Sequence, residues 1–227
     1  MLNSQFHTAI SSPRYLRYLV ACGSREKALT LYRANIALSQ QFYAVLGIFE
    51  IILRNSIDRH MISKQGDLWL ENAVENGGYF DIHVGCEDIY HSVQEAIHRL
   101  GKEYTHDKLI TRLTFGFWTY LFAPKEFAAA GSSLLGIFPN RPFGINQKIV
   151  FQNLIKINEL RNRIAHYEPI CFEKDLISIN RTERRYRLIL DLWAANPHWQ
   201  ARPPSTIPKP GKKLLHQLLQ LTISRLI

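Results

Sequence analysis

Cysteine is scarce in this 227-residue chain: Cys22, Cys86 and Cys171 stand far apart and form no CxxC pair. That spacing argues against a disulfide framework or a thiolate zinc site and fits a reducing compartment. Long apolar runs are lacking as well. No stretch reaches about 18 uninterrupted apolar residues, the length a bilayer span needs, and the most apolar segment, 48–53, is interrupted by Glu50 and closed by Arg54. Residues 1–12 have no basic start leading into an apolar run, so no signal peptide is expected. No glycine-rich phosphate loop and no Ser-His-Asp set is present, and His7, His83, His91, His98, His106, His198 and His216 show no metal-ligand spacing. Acidic charge is also short: 19 Asp and Glu against 28 Lys and Arg leave a net charge of +9. Such an excess points to nucleic acid or an anionic surface as partner. The expectation is a cytoplasmic protein with no cofactor, no metal and no membrane span.

What is present is apolar sequence at helical spacing, with a hydrophobic fraction of 46% that can build a core. Ser12-Pro13 starts a short helix ending near Gly23, and Ser24 caps a second run to about Lys64, with a break placed between 34 and 39. Residues 65–85 read as a long surface connection. A helix over 86–101 carries the stripe Ile89, Val93, Ile97 and Leu100. Thr105 caps a helix to Phe122 whose second half is apolar on nearly every side, as in a bundle interior. Its aromatics, Phe115 to Phe122, fit core packing better than a base-stacking platform. Residues 144–166 form a long helix buried through Ile149, Leu154, Ile157, Leu160 and Ile164. Residues 179–193 form the last bundle helix, with Tyr186, Ile189, Leu190 and Trp193 inward and Arg181, Arg184, Arg185 and Arg187 largely outward. The fold class is all-α: a helical domain over 1–200, a Pro-rich linker over 201–211 and an amphipathic helix over 212–227.

The densest chemistry lies in Asn158-Glu159-Leu160-Arg161-Asn162-Arg163-Ile164-Ala165-His166-Tyr167-Glu168-Pro169. Asn158, Asn162 and His166 fall four residues apart on one helical stripe, with Arg161 beside it. Pro169 ends the helix just past His166. Arginine followed by histidine after a few residues is common by chance. Arg54 with His60 and Arg99 with His106 repeat the bare pattern, so the surroundings must distinguish the third pair.

Those surroundings resemble the Abi-like (abortive infection) proteins of the HEPN superfamily of helical ribonucleases. The resemblance rests on Leu160 to His166 followed by Glu168-Pro169-Ile170. It extends to three further blocks: Phe42 to Asn55, Leu113-Thr114-Phe115-Gly116-Phe117-Trp118, and Pro197-His198-Trp199. It covers about residues 14 to 200. Tyr167 stands where many relatives carry a second histidine, and nothing after Ala201 has a family counterpart. The resemblance implies an endoribonuclease that works as a homodimer, acts as a toxin in phage defence, and is held in check by an RNA or protein antitoxin.

RNA can be cut without a metal when a base takes the 2′-hydroxyl proton and an acid protonates the departing 5′-oxygen. Imidazole suits both transfers because its ordinary pKa lies near about 6.5. A guanidinium suits the charge that grows on the phosphorane. The resemblance and this chemistry give Arg161, Asn162 and His166 as catalytic residues. Asn158, Glu159, Tyr167, Glu50 and Arg54 are candidate supporting residues, and Arg163, Arg181, Arg184, Arg185 and Arg187 are candidates for holding RNA. One histidine per chain is few for two proton transfers, so a two-fold dimer with a composite site is expected. Alternatives stay open. Arg161 can instead pair with Glu159 or Glu168 while His166 caps a helix end. Glu50, Arg54 and Asp58 can form a plain charge ladder. The chain can bind RNA without cutting it, or serve as a regulatory helical module.

Overall fold

The computed structural model describes residues 12–200, so the expected linker at 201–211 and helix at 212–227 lie outside the described residues. In chain order the elements are α1 (Ser12–Cys22), α2 (Arg25–Gln65), α3 (Trp69–Val74), α4 (Tyr79–Ile82), α5 (Glu87–Leu100), α6 (His106–Arg112), α7 (Phe115–Tyr120), α8 (Pro124–Ala129), α9 (Gln147–Ala165) and α10 (Asn180–Ala194). A two-stranded antiparallel hairpin, β1 (Phe172–Glu173) with β2 (Leu176–Ile177), lies between α9 and α10, and short 3-10 turns fill Gly101–Glu103, Leu134–Ile137 and Pro197–Gln200. The class is all-α, as expected.

The chain divides into two compact units. One comprises residues 12–46 and 160–184, the other 47–159 and 185–200. In the first, Tyr15, Tyr18, Ala28, Leu31, Cys171 and Phe172 form a buried cluster against which Leu19, Tyr32 and Ile177 pack. The Tyr18 ring meets Tyr32 and Phe172 edge-on at centroid distances of 5.3 and 5.2 Å. Arg17 lies over the outer face of Phe172, 4.7 Å from its centroid, and donates to the Lys174 carbonyl.

The second unit is built around aromatic rings. Phe49, Leu53, Ile57 and Met61 recur every four residues on α2 and are all buried. The Phe49 ring lies 6.1 Å from Phe115 and 5.8 Å from Trp199. Trp199 also meets Phe138 at 5.6 Å and Trp193 at 6.2 Å, and its indole N–H donates to Ser56 Oγ at 2.7 Å. Three of the blocks that carry the family resemblance thus contribute one ring each to a single core.

Several expectations needed correction. α2 is unbroken over 41 residues, because Leu31, Asn35, Leu38 and Phe42 keep a continuous buried stripe through the segment where a break was placed. Residues 65–85 are not a surface connection: α3 and α4 insert Trp69, Leu70, Ala73, Val74 and Phe80 into the core. The helix expected from Thr105 to Phe122 is two. Leu113 is extended, and Thr114 starts α7 by accepting the Phe117 N–H at 3.4 Å. Leu190 is exposed and Leu192 takes the inward place, while Ile97, Ile149, Tyr186 and Trp193 are only half-buried. The hairpin was not foreseen, since each strand is two residues long. The aromatics of α7 were read correctly: Phe115, Phe117, Trp118 and the following Phe122 are buried, with Tyr120 the exception.

α2 is also long and apolar enough to cross a membrane, with an 18-residue window of mean hydropathy 1.7. The sequence criterion of an uninterrupted run passed over it because Glu50 and scattered polar residues break the run.

Candidate functional site

The motif sits where α9 ends. His166 continues the helical bonding, its N–H reaching the Asn162 carbonyl at 2.9 Å, and the next two residues turn the chain back. The Tyr167 N–H bonds the Ile164 carbonyl at 3.0 Å and the Glu168 N–H bonds the Arg163 carbonyl at 2.7 Å. These two bonds are those of a Schellman cap, whose turning residue must adopt a left-handed backbone. That residue is Tyr167, at φ 55°. Asn162, His166 and Tyr167 are exposed around this cap and Arg161 is half-buried, with its Nη1 3.5 Å from Asn162 Oδ1.

The backbone beyond the cap is held from two sides. Asn35 on α2 is buried, and its side-chain oxygen accepts the N–H groups of Ile170 at 2.8 Å and Cys171 at 3.2 Å. Thr182 on α10, also buried, donates to the Ile170 carbonyl at 2.7 Å. Arg14 on α1 reaches the His166 carbonyl with Nη2 at 3.2 Å. Sequence reasoning missed Asn35, Thr182 and Arg14. Asn35 had left a signal, a lone amide inside the apolar stripe of Leu31, Leu38 and Phe42, where only a hydrogen-bonded polar group is tolerated.

The other expected residues divide. Arg161, Asn162, Arg163, His166, Tyr167, Arg181 and Arg184 belong to the first unit. Glu50, Arg54, Asn158, Glu159, Arg185 and Arg187 belong to the second. Arg163 pairs with Glu168 at 3.3 Å and Arg184 with Glu173, so two arginines assigned to RNA already face carboxylates. In the second unit Arg185 is not outward-facing: its side chain is 11% exposed, bonded to the Lys156 carbonyl and paired with Glu159 at 2.6 Å. Arg187 is exposed. Asn158 is half-buried beside α7; a Cβ on Gly116 would stand 3.7 Å from its amide nitrogen. Arg54 turns to Asn55 Oδ1 at 3.0 Å, and Asp58 accepts from Trp69 Nε1 and His106 Nε2, so these two do not continue a ladder.

Burial pushes the Cys171 thiol up to about 12 and raises those of Cys22 and Cys86 as well. Among the described residues no group of three His, Cys, Asp or Glu is placed to hold a metal ion. No protein-family model, curated protein or solved structure matches the chain.

Proposed function

We propose that this protein is an endoribonuclease of the HEPN type. It cuts RNA by attack of the 2′-hydroxyl on the adjacent phosphate, leaving a 2′,3′-cyclic end, and needs no metal. The observation that carries the reading is the exposed cap of α9, where Arg161, Asn162 and His166 are gathered on a fixed turn. His166 moves the proton, Arg161 stabilises the charge that grows on the phosphate, and Asn162 orients either the imidazole or a phosphate oxygen. The electrostatics favour the same place. The first unit holds ten Lys and Arg against five Asp and Glu among its described residues, a balance of +5 that attracts a polyanion. Two proton transfers and one histidine in each cap call for a homodimer that pairs two caps around one phosphate. The biological setting is that of the family the sequence resembles: a cytoplasmic toxin in phage defence, restrained by an antitoxin.

Cleavage of end-labelled RNA in the presence of a chelator tests the reading. Wild-type activity survives chelation, and His166→Ala loses about 10² to 10⁴ in rate while its melting temperature stays put, since an exposed residue gives up little packing. Arg161→Lys also falls well below wild type, because an ammonium lacks the planar two-point grip. Chelator-sensitive cleavage, or full activity in the His166 variant, defeats the proposal.

A further inference from the structure

Tyr167 is anomalous in two independent ways. Its backbone is left-handed, at φ 55°, a conformation that strains a side chain with a Cβ and that glycine or asparagine occupies more readily. Its side chain is 72% exposed, whereas the aromatics of the same unit's core, Tyr15, Tyr18 and Phe172, are at most 4% exposed; Tyr43 of that unit also stands in water, at 66%, but on an ordinary helical backbone. Among the described residues the Tyr167 ring pairs with no other aromatic. Among the described residues the ring therefore has no packing role: a glycine would make the same cap without strain and without placing a ring in water.

The surroundings point to an occupant for the ring. His166 precedes it directly, and the Arg14 guanidinium, exposed on α1, is anchored on the His166 carbonyl by one N–H of five. The site thus offers an imidazole and a solvent-facing aromatic ring on adjacent residues, with the positive charge of Arg14 brought to them from α1. Phosphate suits the guanidinium groups. A flat ring beside them suits a nucleobase, the other half of a nucleotide. A paired base has both faces covered by its neighbours in the helix, so only an unpaired base can take up such a ring.

We infer that Tyr167 is a base-stacking residue, one unpaired base of the RNA resting on its ring while the neighbouring phosphate lies at Arg14, Arg161 and His166. The inference rests on the ribonuclease reading above and adds to it the residue that holds the base. It also accounts for the residue type, since stacking is indifferent to base identity and demands a π-face.

The test uses the full-length protein and a 2′-O-methyl oligonucleotide carrying 2-aminopurine, which cannot be cut and whose fluorescence falls on stacking. Wild type and Tyr167→Phe quench the probe equally. Tyr167→Leu and Tyr167→Gly do not, and they bind the single strand roughly five- to a hundredfold more weakly. Tyr167→Gly melts no lower than wild type, which a merely structural tyrosine would not allow. Duplex of the same sequence binds more weakly than the single strand to wild type, and the preference shrinks in Tyr167→Leu. If wild type cleaves RNA but Tyr167→Leu quenches and binds as it does, the stacking role alone is overturned. If wild type neither binds the probe nor cuts RNA, the ribonuclease reading falls and this inference falls with it.

Discussion

The two units differ in charge, in how they are held together and in where they carry strain. The unit of residues 47–159 and 185–200 has thirteen Lys and Arg against fourteen Asp and Glu, close to neutrality, whereas the unit with the motif has its balance of +5. The near-neutral unit is secured by large rings, with Phe49, Phe115, Phe138 and Trp199 packed edge to face. The basic unit has a smaller apolar cluster and relies on polar clamps, with Asn35 and Thr182 gripping the backbone that leaves the cap. Among the described residues it also holds two of the three non-glycine residues with positive φ, Tyr167 and Lys174. A buried charge without a partner is costly, and the one carboxylate buried in the ring-built unit among the described residues, Asp58, has Trp69 and His106 as partners. The end of α9 that carries the candidate site lies in the unit with the smaller apolar cluster, with Asn162, His166 and Tyr167 exposed. Strain that the surrounding structure holds in place is a reason to look for function there.

The sharpest way to break the comparison is to strike the neutral unit. Trp199→Ala deletes a side chain only 2% exposed, together with its three ring contacts and its hydrogen bond to Ser56. Removal of a buried tryptophan costs about 3–5 kcal/mol. Urea unfolding should show a loss of that order. A change below about 1 kcal/mol would mean that the rings are not the unit's main support.

Legibility in the sequence follows the same division. Helices whose stripes keep phase for three turns or more, such as α5, α9 and α10, were readable from spacing alone. So was the burial of the α7 aromatics. What was not legible came from local geometry. The split between α6 and α7 depends on Leu113 adopting an extended backbone before Thr114, which apolar periodicity cannot register. The hairpin is too short to show alternation. At the motif, Arg161, Asn162 and His166 could be picked out by type and spacing. The left-handed cap at Tyr167, the clamp at Asn35 and the approach of Arg14 could not, because each depends on backbone geometry or on partners remote in sequence. Arginine counts are blind to partners in a different way: Arg184 and Arg185, candidates for holding RNA, each have a carboxylate partner that their spacing does not reveal.

A smaller effect is expected from the clamp. Asn35→Ala leaves the Ile170 and Cys171 N–H groups facing a buried space without an acceptor. Each unmet buried donor costs about 1–3 kcal/mol. Stability should fall by roughly 2–4 kcal/mol, and cleavage should fall along with it because the segment that follows the cap is loosened. If the variant unfolds like wild type, the polar clamps do not hold this unit and its apolar cluster suffices.

The smallest effect tests whether the neutral unit is as indifferent to charge as its balance suggests. His106 lies between two carboxylates, with Nε2 2.8 Å from Asp58 Oδ1 and Nδ1 3.5 Å from Glu71 Oε2. Trp69 Nε1 donates to Asp58 at 2.9 Å, and the Tyr104 hydroxyl donates to Glu71. Burial works against the imidazolium, but the hydrogen bond and charge of Asp58, reinforced by Glu71, outweigh it and raise the His106 pKa. A histidine whose folded pKa is raised binds its proton more tightly folded than unfolded. Its stabilisation is complete below the unfolded value of about 6.5 and is lost as pH rises through the folded value. His60 is shifted the other way, chiefly by burial, so its contribution falls below that window and does not mask the trend. The urea midpoint of wild type should therefore decline as pH rises from about 6.5 towards about 8, below the range in which the three raised thiols begin to lower stability on their own account, and His106→Gln should flatten the decline. A wild-type midpoint that climbs over this range, or a variant with the same slope, would mean that His106 is held neutral and that its carboxylate neighbours draw their support from Trp69 and Tyr104 alone.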